Sequence, residues 1–373
     1  MAQPLERRSP AAALPSFPWD TIAGYKAQAE RHPDGIINLS VGSPVDRVPV
    51  PIRAALADAS DAPGYPQVVG TPELRAAYTD WLARAHGVTV DPAHVLPTVG
   101  SKELVASLPG QLGFGPGHVI AIPELAYPTY EVGIVMAGAT PLRATGSDVM
   151  AGLSAQSVSM VWVNSPSNPT GAVMPPEQLA RLVGWARQRG VIIASDECYL
   201  DLGWDVTPPS ILDDAVCGGN HTGLLAVHSL SKRSNLAGYR LGFVSGDPVL
   251  IEQLTTLRKH LGLIVPAPVQ AAGVAALSDD APVLAQRSRY ASRREILAAA
   301  MARAGFAIEE STAGLYLWCT RGEPALDSVA WLAERGILVA PGTFYGPAGA
   351  RHIRVALTAR DGQIAAVSAR LAR

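Results

Sequence analysis

The stretch His-Ser-Leu-Ser-Lys-Arg-Ser-Asn-Leu-Ala-Gly-Tyr-Arg, residues 228–240, decides how the rest of the chain is interpreted. It begins where an apolar run of strand length, 224–227, ends, and it brings two hydroxyls, Ser229 and Ser231, next to the amine of Lys232. Arg240 follows eight positions after the lysine. One interpretation is a strand that ends in a solvated basic loop. The other is a lysine that binds a ligand covalently while its neighbours bind the phosphate of that ligand.

Length and composition narrow the class of protein. The chain has 373 residues, of which 48% are apolar, and this indicates a globular protein of two domains with a large buried core. The formal net charge of −2, without long blocks of one sign, argues against nucleic acid or an anionic membrane as the main partner.

Further classes of protein are excluded by the cysteines, the histidines and the N-terminus: disulfide-rich, zinc-binding, secreted and membrane-spanning proteins. Three widely spaced cysteines predict neither a disulfide framework nor a Cys-rich metal site, and they favour a reducing, cytoplasmic setting. The eight histidines show no spacing typical of a zinc site, so no metal is expected. The N-terminus lacks the hydrophobic segment of a secretory signal, and no uninterrupted apolar stretch of about 18 residues predicts a membrane span.

Most of the chain alternates helical patterns with short apolar runs. Helices are expected at 71–85 and 176–189. Strands are expected at 94–99, 119–122, 160–163, 191–194 and 224–227. This alternation is typical of a mostly parallel sheet with helices on both faces.

The last hundred residues show a different order of elements. A long helix-favouring stretch at 266–304 precedes four short strands and one helix. The strands are expected at 306–309, 315–320, 337–340 and 353–356, and the helix at 325–335. This order predicts a smaller α+β domain. The segment 36–42 has no partner nearby, so we expect it to join that domain from a distance.

Polar residues follow the predicted strands at the positions where an open parallel sheet binds ligands. Gly100-Ser101 begins a helix and is either an ordinary turn or an anion site. Asn168 lies in a Pro-rich turn with a free amide. Asp196 either caps a helix or pairs with a cationic ligand. Together with Lys232, these groups meet the needs of pyridoxal phosphate: a lysine for the aldehyde, an acid for the ring nitrogen, donors for the phenolate oxygen and an anion pocket.

With these motifs in place, the sequence resembles the class I/II, fold-type I aminotransferases over nearly its whole length. The resemblance implies an α/β fold with a mostly parallel seven-stranded sheet in a large cofactor-binding domain, 46–265. It implies a smaller, discontinuous α+β domain formed by 1–45 and 266–373. It also implies pyridoxal 5'-phosphate as cofactor, small amino acids and 2-oxo acids as substrates, and a homodimer.

Three residues would be catalytic by this resemblance. Lys232 would hold the cofactor's aldehyde covalently and, once displaced by substrate, transfer the proton from Cα. Asp196 would pair with the protonated ring nitrogen and so allow the ring to act as an electron sink. Tyr199 would donate to the phenolate oxygen, together with Asn168 of the Asn-Pro-Thr-Gly motif.

The resemblance also assigns the remaining binding residues. Ser101, Lys102, Ser229 and Arg240 match phosphate-binding positions, and Tyr127 matches the ring stacked on the pyridine. Tyr65 matches a tyrosine that reaches the phosphate of the neighbouring subunit. Arg354, Gly42 and Asn168 would bind the substrate's α-carboxylate, with Arg354 as its bidentate partner. The alternative for Arg354 is a strand arginine paired with a surface acid.

Four segments resemble one branch more than the family at large. Residues 16–20, 32–46, 100–109 and 124–133 are similar to actinobacterial-type N-succinyldiaminopimelate aminotransferases of lysine biosynthesis. The expected reaction converts N-succinyl-LL-2,6-diaminopimelate and 2-oxoglutarate to N-succinyl-2-amino-6-oxopimelate and glutamate. Both substrates carry a distal anion, for which Lys102 and Arg47 are candidates. Ser167, where many relatives have Asn, and Tyr127, in place of Trp, depart from the family pattern.

Three alternatives remain open from the sequence. The cofactor residues do not separate this reaction from transamination of aspartate or another amino acid. A C–S β-lyase shares the same lysine, aspartate and arginine. A transcriptional regulator with this fold as its sensor is disfavoured, because such proteins carry a DNA-binding domain in front and here the first family motif is reached by about residue 40.

Overall fold

A computed structural model describes residues 10–144, 150–151 and 157–372. Strands are numbered in chain order: β1 Ile37–Asn38, β2 Val95–Thr98, β3 Val119–Pro123, β4 Thr140–Ala144, β5 Met160–Asn164, β6 Ile192–Asp196, β7 Leu224–Ser229, β8 Gly242–Gly246, β9 Ala307–Glu309, β10 Tyr316–Thr320, β11 Ile337–Leu338, β12 Ala340–Pro341 and β13 Ile353–Ala356. The α-helices with described bounds are α1 Ala23–Glu30, α2 Val50–Asp58, α3 Pro72–His86, α4 Ser101–Gln111, α5 Thr129–Met136, α6 Pro176–Arg189, α7 Asp214–Cys217, α8 Leu230–Arg233, α9 Pro248–Leu261, α10 Ala267–Leu277, α11 Ala281–Arg303, α12 Ala325–Glu334 and α13 Asp361–Leu371.

The largest sheet has seven strands in the order β2-β8-β7-β6-β5-β3-β4. Only β8 runs antiparallel to its neighbours, so the predicted mostly parallel seven-stranded sheet is confirmed. Apolar runs did not identify β4 or β8. The first lies at the sheet edge with partly exposed residues, and the second is a five-residue strand with glycine at both ends.

Alternate residues of the central strands enter two different cores. Val161 and Val163 of β5 belong to the core on one face of the sheet, whereas Met160 and Trp162 belong to the core on the other. Because a strand's side chains point alternately to opposite faces, both faces of this sheet are covered. Because both faces are covered, nearly every residue of these strands is buried, and their sequences contain continuous apolar runs.

Local signals set the ends of the helices that flank the sheet. Thr71 caps α3, since its hydroxyl accepts from the Leu74 amide at 3.1 Å, and Pro72 occupies the first turn. Gly87 ends α3 at φ 70° and Gly190 ends α6 at φ 66°, a left-handed conformation that favours glycine. The boundaries therefore follow from the sequence.

A second, smaller core forms around a four-stranded antiparallel sheet in the order β12-β13-β10-β9. Beside it, β1 pairs in parallel with β11, with Ile37 opposite Ile337, so the segment 36–42 does reach the C-terminal part of the chain. The division at residues 45/46 and 265/266 stays a prediction. Helix α10 packs with Ala272 and Leu277 into the core of the large sheet.

Two elements expected as continuous are split. The stretch 266–304 forms α10 and α11, interrupted at 278–280, where Ser-Asp-Asp precedes Pro282 in the first turn of α11. The strand expected at 337–340 divides between β11 and β12, which belong to different sheets. Within the described residues, no helix has both the length and the apolar character needed to cross a bilayer.

Candidate active site

A cavity of about 510 Å³ lies at the carboxyl ends of β5, β6 and β7, between the first turn of α4 and the small sheet. Predicted site residues that line it are Gly42, Ser101, Lys102, Tyr127, Asn168, Asp196, Tyr199, Ser229, Lys232, Arg240 and Arg354. Lining residues that sequence reasoning did not assign to the site are Phe17, Trp19, Val41, Val105, Asn164, Cys198, Ser231, Ala237 and Tyr316. The structure thus brings together residues from both ends of the chain.

Two predicted positions lie elsewhere in the single chain. Tyr65 is fully exposed and does not line the cavity, so its contact with the phosphate of a neighbouring subunit stays a prediction. Arg47, a candidate for the distal anion, is exposed and also lies outside the cavity lining. Ser167 lies in the turn after β5, where its amide donates to the Ala172 carbonyl at 2.9 Å.

Asp196 is a buried carboxylate with neutral partners. Tyr130 donates its hydroxyl to one carboxylate oxygen at 2.7 Å, and the Cys198 amide donates to the other at 3.2 Å. Burial raises the pKa of Asp196, against the lowering effect of these hydrogen bonds. In the part of the chain that the structure describes, no lysine, arginine or histidine nitrogen lies in ion-pair distance of it. A cationic ligand would supply the missing charge.

Lys232 extends from the short helix α8, whose first residues are held by Ser229. The Ser229 hydroxyl accepts from the Ser231 amide at 3.2 Å, and this cap begins the helix directly after β7. The lysine Nζ donates to the Gly42 carbonyl of the N-terminal segment. Burial lowers the pKa of Lys232, and the positive charges of Arg354 and Arg240 lower it further. The amine is therefore more readily neutral, and more nucleophilic, than a surface lysine.

An anion pocket lies at the N-terminus of α4. Gly100 precedes the helix at φ 76°, and a Cβ at this position would collide with the guanidinium of Arg240. Arg240 itself adopts φ 58° and donates to the Ala237 carbonyl at 2.8 Å. The first turn of α4, with the amides of Ser101 and Lys102, therefore borders the cavity that Arg240 also lines. This combination suits a phosphate.

Arg354 is a buried arginine, 2% exposed, whose partners are all neutral. One of its amino groups donates to Asn168 Oδ1 at 2.8 Å and the other to the Ser40 carbonyl at 2.6 Å. Its guanidinium carbon lies 3.9 Å from the Tyr316 ring centroid, and its Nε has no hydrogen-bond partner within the described residues. The predicted alternative, a pair with a surface acid, is wrong. The cation is available for an anionic ligand.

Close packing brings the N-terminal segment to this arginine. A Cβ on Gly42 would overlap the Tyr316 hydroxyl, so glycine is needed for the close approach. The Tyr316 hydroxyl in turn lies 2.9 Å from that of Tyr199. Burial raises the pKa of Tyr199 well above its usual value, so it remains a protonated donor at neutral pH.

Asn164, the last residue of β5, orders the turn that carries Asn168. Its side-chain oxygen accepts from the Asn168 amide at 2.8 Å, and its Nδ2 donates to the Asp196 carbonyl at 3.0 Å. Tyr127, two residues before α5, has its ring centroid 5.8 Å from that of Tyr130. These contacts connect three strand-end motifs around one cavity.

The residues present fit pyridoxal phosphate. Asp196 lacks a cation, the α4 N-terminus with Arg240 forms an anion pocket, and Lys232 lines the same cavity. Arg354 leaves a second anion position on the side of the small sheet. A phosphorylated pyridine with a protonated ring nitrogen satisfies the first two requirements, and an amino-acid carboxylate satisfies the last.

Comparisons with known proteins agree with this geometry. The family model described as aminotransferase class I and II matches residues 34–371. A probable aminotransferase of Mycobacterium tuberculosis is 58% identical over 361 residues, covering 96% of this chain and 86% of the relative. The 4-dedimethylamino-4-oxo-anhydrotetracycline transaminase OxyQ of Streptomyces rimosus is 57% identical over 358 residues, covering 96% and 99%.

More distant relatives also match this chain over most of its length. An LL-diaminopimelate aminotransferase of Desulforudis audaxviator is 33% identical over 356 residues, covering 90% of this chain and 88% of the relative. Among solved structures, an aminotransferase from Neisseria meningitidis superposes with a TM-score of 0.88 at 29% identity, covering 98% of this chain and 99% of the other.

Proposed function

Because this chain belongs to the class I and II aminotransferases, which use pyridoxal phosphate, we propose that its amino donor is N-succinyl-LL-2,6-diaminopimelate. The acceptor is 2-oxoglutarate, and the products are N-succinyl-2-amino-6-oxopimelate and glutamate. The reaction belongs to lysine and diaminopimelate biosynthesis in the cytoplasm. The proposal rests on the charges that line the cavity.

Among the described lining residues, Asp196 is the only acid, whereas the cations are Lys102, Lys232, Arg240 and Arg354. Once Asp196 faces the cofactor, no carboxylate remains for a distal ammonium group. Lys102 lies exposed on the outer wall, with its Nζ 5.9 Å from the Phe17 ring centroid. This wall favours a donor whose far end carries only anionic groups over unsubstituted diaminopimelate, whose far end carries an ammonium group beside its carboxylate. Arg47 lies outside the wall, so Lys102 is the better candidate for the distal anion.

The assignments made from the sequence would hold the cofactor as follows. Lys232 would bind the aldehyde, Asp196 the ring nitrogen, and Tyr199 and Asn168 the phenolate oxygen, with Tyr127 against the ring. The phosphate would be held by the backbone amides of Ser101 and Lys102, by Ser229 and Arg240, and by Tyr65 of a second copy in a homodimer.

Catalysis divides among residues of this chain. The bound cofactor supplies an electron sink that acidifies the substrate's Cα–H. Arg354 orients the substrate by its α-carboxylate, beside the backbone of Gly42, so that the Cα–H faces Lys232. The lowered pKa of Lys232, caused first by burial, leaves its Nζ able to accept this proton and return it. Asp196 stays ionised opposite the ring nitrogen.

A second candidate substrate is a polycyclic ketone or amine like that named for the Streptomyces rimosus relative. The observation in its favour is an aromatic pair on the cavity wall, Phe17 and Trp19, with ring centroids 5.5 Å apart. Aromatic walls of this kind bind planar rings by stacking. The presence of Lys102 beside the pair favours the succinylated donor, whose distal end is an anion.

The test is a comparison of amino donors with 2-oxoglutarate as acceptor. We expect kcat/KM for the succinylated donor to exceed that for LL-diaminopimelate at least roughly a hundredfold, the difference that a charge mismatch in a partly buried site produces. The change Lys102→Met lowers it roughly tenfold through KM, and Lys259→Met, an exposed control on α9, leaves it unchanged. Faster turnover of LL-diaminopimelate overturns the assignment, and so does faster amination of an anhydrotetracycline ketone with glutamate as the amino donor.

A further inference from the structure

A buried polar cluster joins the ends of β6 and β7 beside the cavity. Its centre is Glu197 and His228, which are 1% and 2% exposed. Glu197 directly follows Asp196, and His228 directly precedes Ser229. Each member of the pair is thus one peptide bond from a residue that lines the cavity, although neither lines it itself.

The contact between the two side chains has the character of an ion pair. His228 Nε2 lies 3.1 Å from Glu197 Oε2, yet the two atoms are not aligned as a hydrogen bond and have no other partner among the described residues. The other carboxylate oxygen accepts from the Ile211 amide at 2.7 Å. A misaligned contact between buried neutral groups would leave both unsatisfied, whereas attraction between opposite charges does not need alignment.

The contacts of the other ring nitrogen of His228, Nδ1, also fit a protonated ring. His228 Nδ1 lies 2.8 Å from the Tyr78 hydroxyl, which lies 2.8 Å from Ser245 Oγ. An imidazolium donates at both nitrogens, so Tyr78 can accept from Nδ1 and donate its own hydrogen bond to Ser245 Oγ. Burial raises the pKa of Tyr78, so its hydroxyl stays protonated and remains a donor.

The surrounding charges also require a cation here. Glu197 and Asp196 are adjacent buried carboxylates, and a neutral His228 would leave Glu197 without a counter-charge. The neighbouring cation, Arg233, lies over the Trp81 ring and pairs with Asp201 at 3.0 Å. It is therefore already neutralised.

We propose that His228 carries a proton and forms with Glu197 a buried ion pair that positions Asp196 relative to the segment bearing Ser229 and Lys232. Both are positioning residues, because they act on the cofactor site through their chain neighbours. The positive charge of His228 also favours the ionised form of Asp196, whose pKa burial raises and His228 lowers.

The experiment compares the holoenzyme with His228→Asn, Glu197→Gln and the double variant. The first reading is the ¹⁵N signals of the His228 ring at pH 7, in the apo- and holoprotein. We expect both ring nitrogens to carry protons in the parent protein and one to lose its proton in Glu197→Gln. A neutral ring in the parent protein overturns the proposal, and this reading does not depend on activity.

The second reading is the midpoint pH of the absorbance change of the bound cofactor. His228→Asn leaves the Glu197 carboxylate alone, and we expect the midpoint to rise by about one pH unit, with kcat falling roughly tenfold and KM little changed. The double variant has no net charge at the pair, and its midpoint should return to within about 0.3 unit of the parent value.

Matched controls separate positioning from simple destabilisation. His118→Asn alters a partly buried histidine whose side chain contacts Gly115 and the Phe114 ring, away from the cavity lining, so we expect no change in the midpoint. A double variant as impaired as His228→Asn, or an unshifted midpoint in His228→Asn, overturns the proposal. Should His228→Asn fail to fold, the ring signals of the parent protein and Glu197→Gln still decide it.

Discussion

Two carboxylates five positions apart, the buried Asp196 and the partly buried Asp201, differ in their surroundings. Asp201 pairs with Arg233 at 3.0 Å and with His86 at 3.2 Å. Burial alone would raise its pKa, but the hydrogen bond with His86 and the charge of Arg233 lower it to about 2. Asp196 has only neutral partners and a raised pKa. A buried charge with its counter-charge in the chain stabilises the fold, whereas one without it is kept for a ligand.

The same difference separates two arginines that are each 2% exposed. Arg293 pairs with Asp46 and Asp361, both at 2.7 Å. Arg354 contacts an amide, a carbonyl and two tyrosine rings, Tyr316 and Tyr345. We expect substitutions at Asp201 and Arg293 to lower stability, and substitutions at Asp196 and Arg354 to lower activity.

The largest effect is expected from Asp196→Asn. Without the carboxylate, the electron sink fails, and kcat should fall roughly 10³-fold, while the apoprotein keeps or gains stability because an unpaired buried charge is removed. Its matched variant, Asp201→Asn, should keep kcat within about threefold and lower the free energy of unfolding by about 3 kcal/mol. Steady-state kinetics and urea unfolding of the apoproteins check both. Equal losses of activity in the two variants would break the comparison.

The arginine pair should show the next largest effect. Arg354→Met removes the carboxylate partner, and we expect kcat/KM to fall roughly a hundredfold, mainly through KM for the amino acid. Arg293→Met leaves Asp46 without its buried partner and should lower the free energy of unfolding by about 3 kcal/mol with little change in KM. An Arg354→Met variant with an unchanged KM would show that the α-carboxylate binds elsewhere.

The smallest expected effect is a difference in how the free energy of unfolding depends on pH. A carboxyl whose pKa is lower in the folded protein than in the unfolded chain stabilises the fold when it is ionised. This contribution is complete above the unfolded-state pKa of about 3.9, and it is lost as the pH falls towards 2. Asp201 should therefore contribute about 2 kcal/mol that disappears over this range, a loss absent in Asp201→Asn. Asp196 has a raised pKa and acts in the opposite sense, so the apoprotein loses stability as the pH rises above the unfolded pKa. Identical acid-unfolding curves for Asp201→Asn and the parent protein would contradict this account.

The strand-end motifs were predictable because they are local. Lys232, Asp196 and Asn168 each lie within five residues of the end of an apolar run, and topology brings the carboxyl ends of parallel strands to one edge. Apolar runs predicted five strands of the large sheet and its mostly parallel character, whereas the count of seven came from the family resemblance, because β4 and β8 carry no clear apolar signal of their own.

Residues that reach the cavity from distant parts of the chain were not predictable in this way. Tyr316 comes from the small sheet, where it pairs in register with Ala356, and Phe17 and Trp19 precede the first strand. In the sequence, these aromatic residues look like ordinary core residues, so nothing marks them as part of the cavity. The pairing of Glu197 with His228 likewise depends on the register of β6 against β7, which no local pattern specifies.

The most direct test of the central claim is borohydride reduction of the holoenzyme followed by peptide mapping. Reduction fixes the covalent bond between cofactor and lysine, and mass spectrometry locates the added mass. The account predicts a yellow protein whose label lies on Lys232 in the peptide that also contains Ser229, and no label in Lys232→Ala. Label on another lysine, or a colourless protein that does not respond to added pyridoxal phosphate, would contradict it.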